Sequence, residues 1–228
     1  MGQEKTEHIT DNPLFSSLDS NDIQLLLNLS ITKSYLEDQW VTHYGSDWPF
    51  LFLVEEGQVT ALKESPEGRS LVVITLEKGE VFWGLGFFRE GIGMPVALVA
   101  SQDTHLRLWS REKLLPFIIN NGQFSWDLSQ LMVNRMMRAS QILEELAFQP
   151  VAGRLAHFLL EQFADQSGDT LSRDLTLDDM AARIGSTREM VCRHLYHFAD
   201  QGAIQITRTE LKITDQGILS DFAGKDQQ

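Results

Sequence analysis

Charged side chains recur near the C-terminal end of the sequence, in the segment that begins at Arg188. Arg188, Glu189 and Arg193 are spaced so that a helix would carry them on one side. An arginine can donate two hydrogen bonds to the edge of guanine, and a glutamate can accept one from the amino group of cytosine. We therefore expect this segment to read base edges in DNA, with four neighbours as candidates for phosphate or peripheral base contacts: Ser186, Thr187, Cys192 and His197.

Two short helices joined by a tight turn are needed to present these side chains. The first is predicted to begin after Thr176, a good N-cap residue, and to end at Gly185, because glycine readily adopts the left-handed conformation. Ser186 and Glu189 form an S-x-x-E pattern, which predicts a capping box at the start of the second helix. Apolar residues at helical spacing predict the buried faces: Leu177, Met180, Ala181 and Ile184 in the first helix, and Val191, Leu195 and Phe198 in the second.

The residues after Gly202 alternate as the strands of a hairpin do. Residues 203–207 and 211–214 are predicted as strands, with a polar turn at residues 208–210. On spacing alone, two amphipathic helices could equally be a helical hairpin of another kind of domain. A strand hairpin directly after the second helix favours a winged helix-turn-helix.

The segment from Thr176 to Ile204 resembles, without a gap, the winged helix-turn-helix of the CRP/FNR family of bacterial transcription regulators. The resemblance implies that Arg188, Glu189 and Arg193 read a GTGA-type half-site. The residue before the last arginine, Cys192, varies within the family and helps to tune the target. The family further implies a homodimer, a palindromic double-stranded DNA site and RNA polymerase as a partner.

Composition limits how this chain can bind DNA. The 228 residues carry a formal net charge of −13, and residues 150–228 hold eight Lys and Arg against twelve Asp and Glu. Non-specific attraction to DNA should therefore be weak, so tight binding would depend on base contacts and dimer symmetry.

No apolar run could span a membrane and the polar start is unlike a signal peptide, so we expect a cytoplasmic protein. The single cysteine, Cys192, excludes an intramolecular disulfide and a cysteine-ligated iron–sulfur cluster within one chain.

Residues 1–119 are predicted to form a β-roll sensor domain. Short apolar strand signals separated by glycine turns run from residue 50 to residue 109, as is typical of an antiparallel barrel or sandwich. The run FLFLVEEGQVTALKESPEGRSLVVITLEKGEVFWGLGFF resembles the cyclic-nucleotide-binding β-roll that precedes the helix-turn-helix in the CRP/FNR family. It has glycines at the expected turns: Gly57, Gly68, Gly79 and Gly86.

The ligand-binding part of that β-roll departs from the family pattern. Trp83 and Gly84 stand where cyclic-nucleotide binders have a Gly-Glu pair for the ribose, and Met94 and Pro95 stand where they have an Arg-Ser pair for the phosphate. Burying a phosphate without an arginine is costly, so we expect neither cAMP nor cGMP to bind in the family manner. Five residues are instead candidates to line a pocket for a small apolar effector, or are filled core: Trp83, Gly84, Phe87, Met94 and Pro95.

Histidine spacing in the β-roll does not indicate a metal or haem site. A haem sensor is a known variant in the family, but His43 and His105 have no partner at ligand spacing. A metal-dependent, cupin-like enzyme would need a cluster of histidines with a carboxylate, and the sequence has no H-x-H motif in the barrel. We therefore expect no metal, no haem and no enzymatic activity.

Residues 120–149 are predicted to form a long helix that joins the β-roll to the winged helix-turn-helix of residues 150–228. Pro150 breaks this helix and marks a candidate hinge. Two stripes of mostly apolar residues run along the helix, and one could meet a second chain while the other covers the β-roll. The stripes are Leu128, Met132, Arg135, Ala139, Ile142 and Leu146, and Leu131, Met136 and Leu143. A single helix lying on its own domain is the alternative.

Together these parts predict an α+β protein with an antiparallel, jelly-roll-like β-roll, a long dimerisation helix and a C-terminal winged helix-turn-helix. The predicted function is that of a homodimeric, sequence-specific transcription regulator, controlled allosterically by a signal other than cAMP. Three alternatives stay open: a regulator that needs no ligand, a redox response through Cys192, and a cyclic-nucleotide response in a divergent pocket.

Overall fold

The computed structural model describes Ile9 and residues 12–164, 170–172, 175–207 and 210–224. The chain divides into two compact units, one of residues 1–63 and 73–137 and the other of residues 64–72 and 138–228. Antiparallel sheets build the first unit, and a helix-turn-helix with a small sheet builds the second. The predicted α+β fold class is confirmed.

Eight strands form the two sheets of the β-roll. They are β1 Ile31–Tyr35, β2 Trp40–Thr42, β3 Phe50–Glu56, β4 Val59–Glu64, β5 Ser70–Leu76, β6 Val81–Trp83, β7 Ala97–Ala100 and β8 Thr104–Ser110. The sheet orders are β1-β8-β3-β6 and β2-β7-β4-β5, so paired strands are not consecutive in sequence, with the exception of β4 and β5. Strand β1 was not predicted because four of its five residues are exposed, which leaves no apolar pattern to detect.

Strand β3 explains why the run FLFLV is apolar at every position. Its side chains alternate between the two faces of a sheet, and both faces are covered. Leu51 and Leu53 pack with Trp109 in one apolar core, whereas Phe52 and Val54 pack in the other. All of these side chains are 0–1% exposed.

Short helices with fully described residues accompany the β-roll: α1 Pro13–Ser16, α2 Ser20–Leu29, α3 Leu85–Phe88 and α4 Arg111–Asn120. Asp19 caps α2 by accepting a hydrogen bond from the backbone N–H of Asp22. Helix α2 then lies over the first core, where the indole N–H of Trp109 donates to the backbone oxygen of Leu26 at 2.8 Å. A buried tryptophan needs such a partner, so this bond fixes the helix against the sheet.

The long helix, α5, covers Gly122–Phe148 and is separate from α4. The prediction of one helix from Asn120 was therefore wrong at its start. Asn121 has an extended conformation, with φ −113° and ψ 99°, and its side-chain oxygen accepts the backbone N–H of Phe124 at 2.9 Å. This local side-chain bond competes with helix continuation and begins a new helix instead.

The second unit is a helix-turn-helix followed by a wing and a last helix. Its elements are α6 Val151–Ala164, β9 Thr170–Ser172, α7 Leu177–Ile184, α8 Arg188–Asp200, β10 Ile204–Ile206, β11 Glu210–Ile213 and α9 Gln216–Gly224. The wing is a three-stranded sheet in the order β10-β11-β9, so the predicted hairpin gains a third strand. Arg208 and Thr209 of the predicted turn lie outside the described residues. The core of this unit includes Leu155, Leu159, Val191, Phe198 and Leu219.

Candidate nucleic-acid interface and effector cassette

The first helix of the helix-turn-helix, α7, has the start and the end that the sequence predicted. The backbone N–H of Asp179 donates to the hydroxyl of Thr176, and its carboxylate accepts the backbone N–H of Thr176, which completes a capping box. Gly185 ends the helix with φ 62° and ψ 48°. The N–H groups of Gly185 and Ser186 both donate to the backbone oxygen of Ala181. A left-handed residue at this point turns the chain sharply into the next helix.

The capping box predicted at Ser186 and Glu189 was wrong by one residue. Helix α8 is capped by Thr187, whose hydroxyl accepts the backbone N–H of Met190 at 3.3 Å. The backbone N–H of Ser186 still donates to Ala181 at the end of α7, and Ser186 lies one residue before the N-cap of α8. The hydroxyl of Thr187 is therefore engaged as an acceptor at the start of the helix.

The solvent face of α8 carries the base-reading candidates. Arg188, Glu189, Arg193 and His197 are exposed, and Cys192 is half-buried. The pKa of Glu189 is lowered because its own backbone N–H and then the Thr187 hydroxyl donate to its carboxylate. Glu189 therefore stays an acceptor. The opposite face is buried and packs in the core, as predicted: Val191, Leu195 and Phe198.

Tyr196 is a further residue on this face that the sequence analysis missed. Its side chain is 62% exposed, three residues beyond Arg193 and seven beyond Glu189. Residues at these spacings lie above one another on a helix, and this spacing was the signal that could have identified it. A phenol can donate to a phosphate oxygen without carrying charge.

One histidine of α8, His194, contributes less positive charge than its residue type suggests. Burial, followed by the charges of His197 and Arg193, lowers the pKa of His194 below its usual 6.5. The ring of His197 lies 5.4 Å from that of Phe222 on α9. Helix α9 was not predicted, and it supports α8 from behind through Phe222, whose ring is 4.8 Å from that of Phe198.

Arg154, in the first turns of α6, joins the ends of two other helices. Its Nε donates to the backbone oxygen of Ile184 at 2.8 Å, and its Nη2 lies 3.4 Å from the backbone oxygen of Gly185. Its Nη1 donates to the backbone oxygen of Gln149 and lies 3.4 Å from that of Glu145. Burial lowers the pKa of Arg154, and the carboxylate of Glu145 opposes that shift.

The last carbonyl groups of a helix have no partner within it. One guanidinium therefore satisfies the ends of both α5 and α7. This bridge sets where the helix-turn-helix begins relative to the end of the long helix.

The five candidate residues of the effector cassette do not form one cluster. Trp83 and Phe87 belong to the core that contains Trp109, whereas Met94 packs in the core between the sheets. Gly84 is buried against Trp48 and Met94, and a Cβ atom there would overlap the backbone oxygen of Trp48 and lie 3.1 Å from the Met94 sulfur. Pro95 is half-buried. The packing around Gly84 is that of filled core.

The histidines considered for haem are engaged with surface neighbours. The ring of His43 lies 5.2 Å from that of Trp40, and Nδ1 of His105 lies 3.4 Å from a carboxylate oxygen of Glu56. Within the described residues no group of three or more His, Cys, Asp or Glu side chains is placed to hold a metal ion. The described helices also include none long and apolar enough to cross a membrane.

Comparison with known proteins gives two family matches. Residues 32–121 match the cyclic nucleotide-binding domain, and residues 153–222 match the Crp-like helix-turn-helix domain. The cyclic AMP receptor protein of Thermus thermophilus is 25% identical over 212 residues, which are 93% of this chain and 97% of that protein. A CRP-like cAMP-activated global transcriptional regulator of Mycobacterium tuberculosis is 29% identical over 177 residues, 75% of this chain and 78% of that protein.

A solved structure extends the comparison to the fold. A crystal structure described as that of a CRP/FNR-family transcriptional regulator from Eubacterium rectale superposes with a TM-score of 0.79 at 22% identity. The match covers 92% of this chain and 97% of that one. At this identity the likeness shows a shared fold.

Restoring the family's glutamate at position 84 should not create a cyclic-nucleotide site. We expect Gly84→Glu to lower the free energy of unfolding by about 1–3 kcal/mol, because its Cβ would overlap a backbone oxygen that cannot move freely. Gly122→Ala is the control, since nothing lies within 4 Å of a Cβ there. Urea unfolding measures stability, and calorimetry measures cAMP binding. A micromolar dissociation constant for cAMP, in the wild type or in Gly84→Glu, would contradict the filled cassette.

Replacing Arg154 with methionine should destabilise the winged helix-turn-helix. Methionine keeps the apolar stem but leaves the carbonyl groups at the ends of two helices without their donor, at a cost of about 1–3 kcal/mol. Arg138→Met removes an arginine that is exposed on α5 and should change stability little. Urea unfolding followed by circular dichroism measures both variants. Equal unfolding midpoints would show that the Arg154 bridge contributes nothing to stability.

Proposed function

The chain belongs to the CRP/FNR family of DNA-binding transcription regulators, and from that premise we propose that it acts as a homodimer on palindromic DNA. Helix α8 is the recognition helix in this proposal. Arg188, Glu189 and Arg193 read base edges of a GTGA-like half-site, while Ser186, Thr187, Cys192 and His197 contact phosphates or flanking bases. The observation that carries the proposal is the exposure of this charged triplet on a helix whose opposite face is buried.

Dimerisation is supported by a row of exposed residues on α5, which we call the seam. It alternates in steps of three and four residues and consists of Trp126, Ser129, Val133, Met136, Ser140, Leu143 and Ala147. Met136 is 67% and Leu143 is 68% exposed in the single chain. Apolar residues at this spacing pack against a second helix in a coiled coil. A two-fold dimer would place two recognition helices about one turn of DNA apart, roughly 34–36 Å.

Residues from both predicted stripes of α5 face the chain itself, namely Leu128 and Arg135 of one stripe and Leu131 of the other. Leu128 is 3% exposed. Leu131 packs on the core of the β-roll, and Arg135 donates to the carboxylate of Glu80 at 2.9 Å. The seam is thus the face of α5 that a second copy can cover.

Control by a signal other than cAMP is the remaining part of the proposal. The relatives reported above are cAMP-responsive by name, but this chain has Gly84, Met94 and Pro95 at the positions that we aligned with the ribose and phosphate contacts. The packing of Trp48 and Met94 on Gly84 favours a second candidate, a regulator that needs no ligand in the cassette. A redox response through Cys192 and a response to cyclic nucleotide in a divergent pocket remain alternatives.

RNA polymerase is the expected partner in transcription, and the cytoplasm is the expected location.

Selection from random duplex DNA, with the purified ligand-free protein at moderate salt, tests the DNA reader. We expect enrichment of a palindrome with GTGA-like arms. Arg193→Ala should lower the affinity for that site by about 1–3 kcal/mol and relax the preference at one base pair, because one bidentate base contact is lost. Arg138→Ala, on the exposed surface of α5, is the control. A uniform loss across all sequences would mean that Arg193 binds phosphate, and no enrichment by the wild type would count against a ligand-free reader.

A charge in the seam should abolish the dimer. Met136→Glu with Leu143→Glu would place like charges opposite one another across the two-fold axis, and we expect a monomer by light scattering at micromolar concentration. Asn134→Glu adds the same charge at an exposed position outside the seam and should leave a dimer. A double variant that stays dimeric, or a wild type that is monomeric, would contradict this interface.

A further inference from the structure

The base-reading candidate Arg188 is held by an acidic side chain from the other helix of the motif. Its Nη1 donates to a carboxylate oxygen of Asp178 at 2.9 Å, across the turn between α7 and α8. The two side chains are 62% and 66% exposed, so the pair lies on the surface. Asp178 is ten residues before Arg188, and nothing in their separation along the chain indicates this contact.

Asp178 is not a member of the capping box that starts its own helix. The capping box of α7 uses Asp179 and Thr176, and Asp178 is the neighbouring residue in the first turn. Its carboxylate is instead directed to Arg188. The helix can therefore form without this carboxylate, and a change at Asp178 tests the pair separately from the fold.

The charge of Asp178 should affect the binding of Arg188 to phosphates and its binding to bases differently. Random-sequence DNA offers an arginine mainly phosphate oxygens, and the attraction depends on net charge. The edge of guanine offers two acceptors in a fixed geometry, so the contact depends on the direction of the donors. A guanidinium has five donors, and a bond from Nη1 to Asp178 leaves donors free for a base. Pairing should therefore weaken phosphate binding more than base binding.

We propose that Asp178 is a specificity-determining residue, which neutralises and orients Arg188 so that Arg188 contributes to base recognition but little to non-specific phosphate binding. The inference rests on the proposed function, because it assumes that α8 enters the major groove. It also gives a role to acidity in a domain whose residues 150–228 carry twelve acidic against eight basic side chains.

Asp178→Asn tests the proposal, because it removes the charge and keeps the shape. Binding is measured by fluorescence anisotropy over a salt series, with a random-sequence duplex and with the palindrome selected by the wild type. We expect affinity for random DNA to rise about three- to tenfold at low salt, and its salt dependence to steepen by about 0.9 in log–log slope, as for one added phosphate contact. Affinity for the palindrome should change less than about threefold, so the specificity ratio falls. Equal gains on both DNAs would overturn the proposal.

Three further variants separate the pair from a general effect of charge. Asp178→Glu keeps the carboxylate and should keep the wild-type specificity ratio. Asp221→Asn removes an exposed acid of α9 and should leave the salt slope unchanged. In the Arg188→Ala background Asp178→Asn should have no effect on the slope, because there is no guanidinium to release. If Asp178→Asn changes the salt slope equally with and without Arg188, Asp178 acts only through the general electrostatic effect of its charge on DNA.

The wild-type titrations distinguish this inference from the proposed function. If the wild type does not prefer its selected palindrome to random DNA, the proposed DNA reader is wrong. If the wild type shows the preference and Asp178→Asn retains it in full, the DNA reader stands and the role of Asp178 is wrong.

Discussion

The guanidinium of Arg154 is the interaction on which the arrangement of the second unit depends. Two helices, α5 and α7, end close together, and each leaves backbone oxygens without a donor. Arg154 supplies donors to both ends from a third helix, α6, in a planar group that a lysine could not imitate. Since Pro150 interrupts the chain between α5 and α6, this bridge rather than a continuous helix connects the long helix to the turn of the DNA-binding motif.

Helix α8, the proposed recognition helix, is held from several sides and carries little positive charge. Gly185 directs the chain into it, Thr187 caps it, and Phe222 of α9 packs behind it. On its open face Arg188 is paired, His194 is disposed to be neutral, and Tyr196 is uncharged. In the proposed dimer on DNA, affinity would come from directed hydrogen bonds and symmetry, because non-specific attraction to phosphates is small.

Much of the fold could be predicted because local patterns and tertiary packing agree. The helix-turn-helix was predicted from apolar spacing, Thr176 and Gly185, and the strand β3 from its run of apolar residues. Strand β1 and helix α9 were missed because one is exposed and the other follows the recognised motif. The N-cap of α8 was predicted one residue too early, because the left-handed turn at Gly185 leaves Ser186 bonded to the end of α7.

The sequence by itself determined the class of the protein, its helix-turn-helix and the base-reading candidates, because these depend on residue types at short, regular spacing. It did not decide which residues of α5 meet a second chain, or whether the cassette lines an effector pocket or is filled core. It also gave no sign that Asp178 lies beside Arg188. Tertiary structure decided which residues of α5 cover the chain's own core, packed Trp48 and Met94 on Gly84, and joined Arg154 to two helix ends. Those outcomes depend on contacts between residues distant in sequence, which only the folded backbone brings within hydrogen-bond or van der Waals distance.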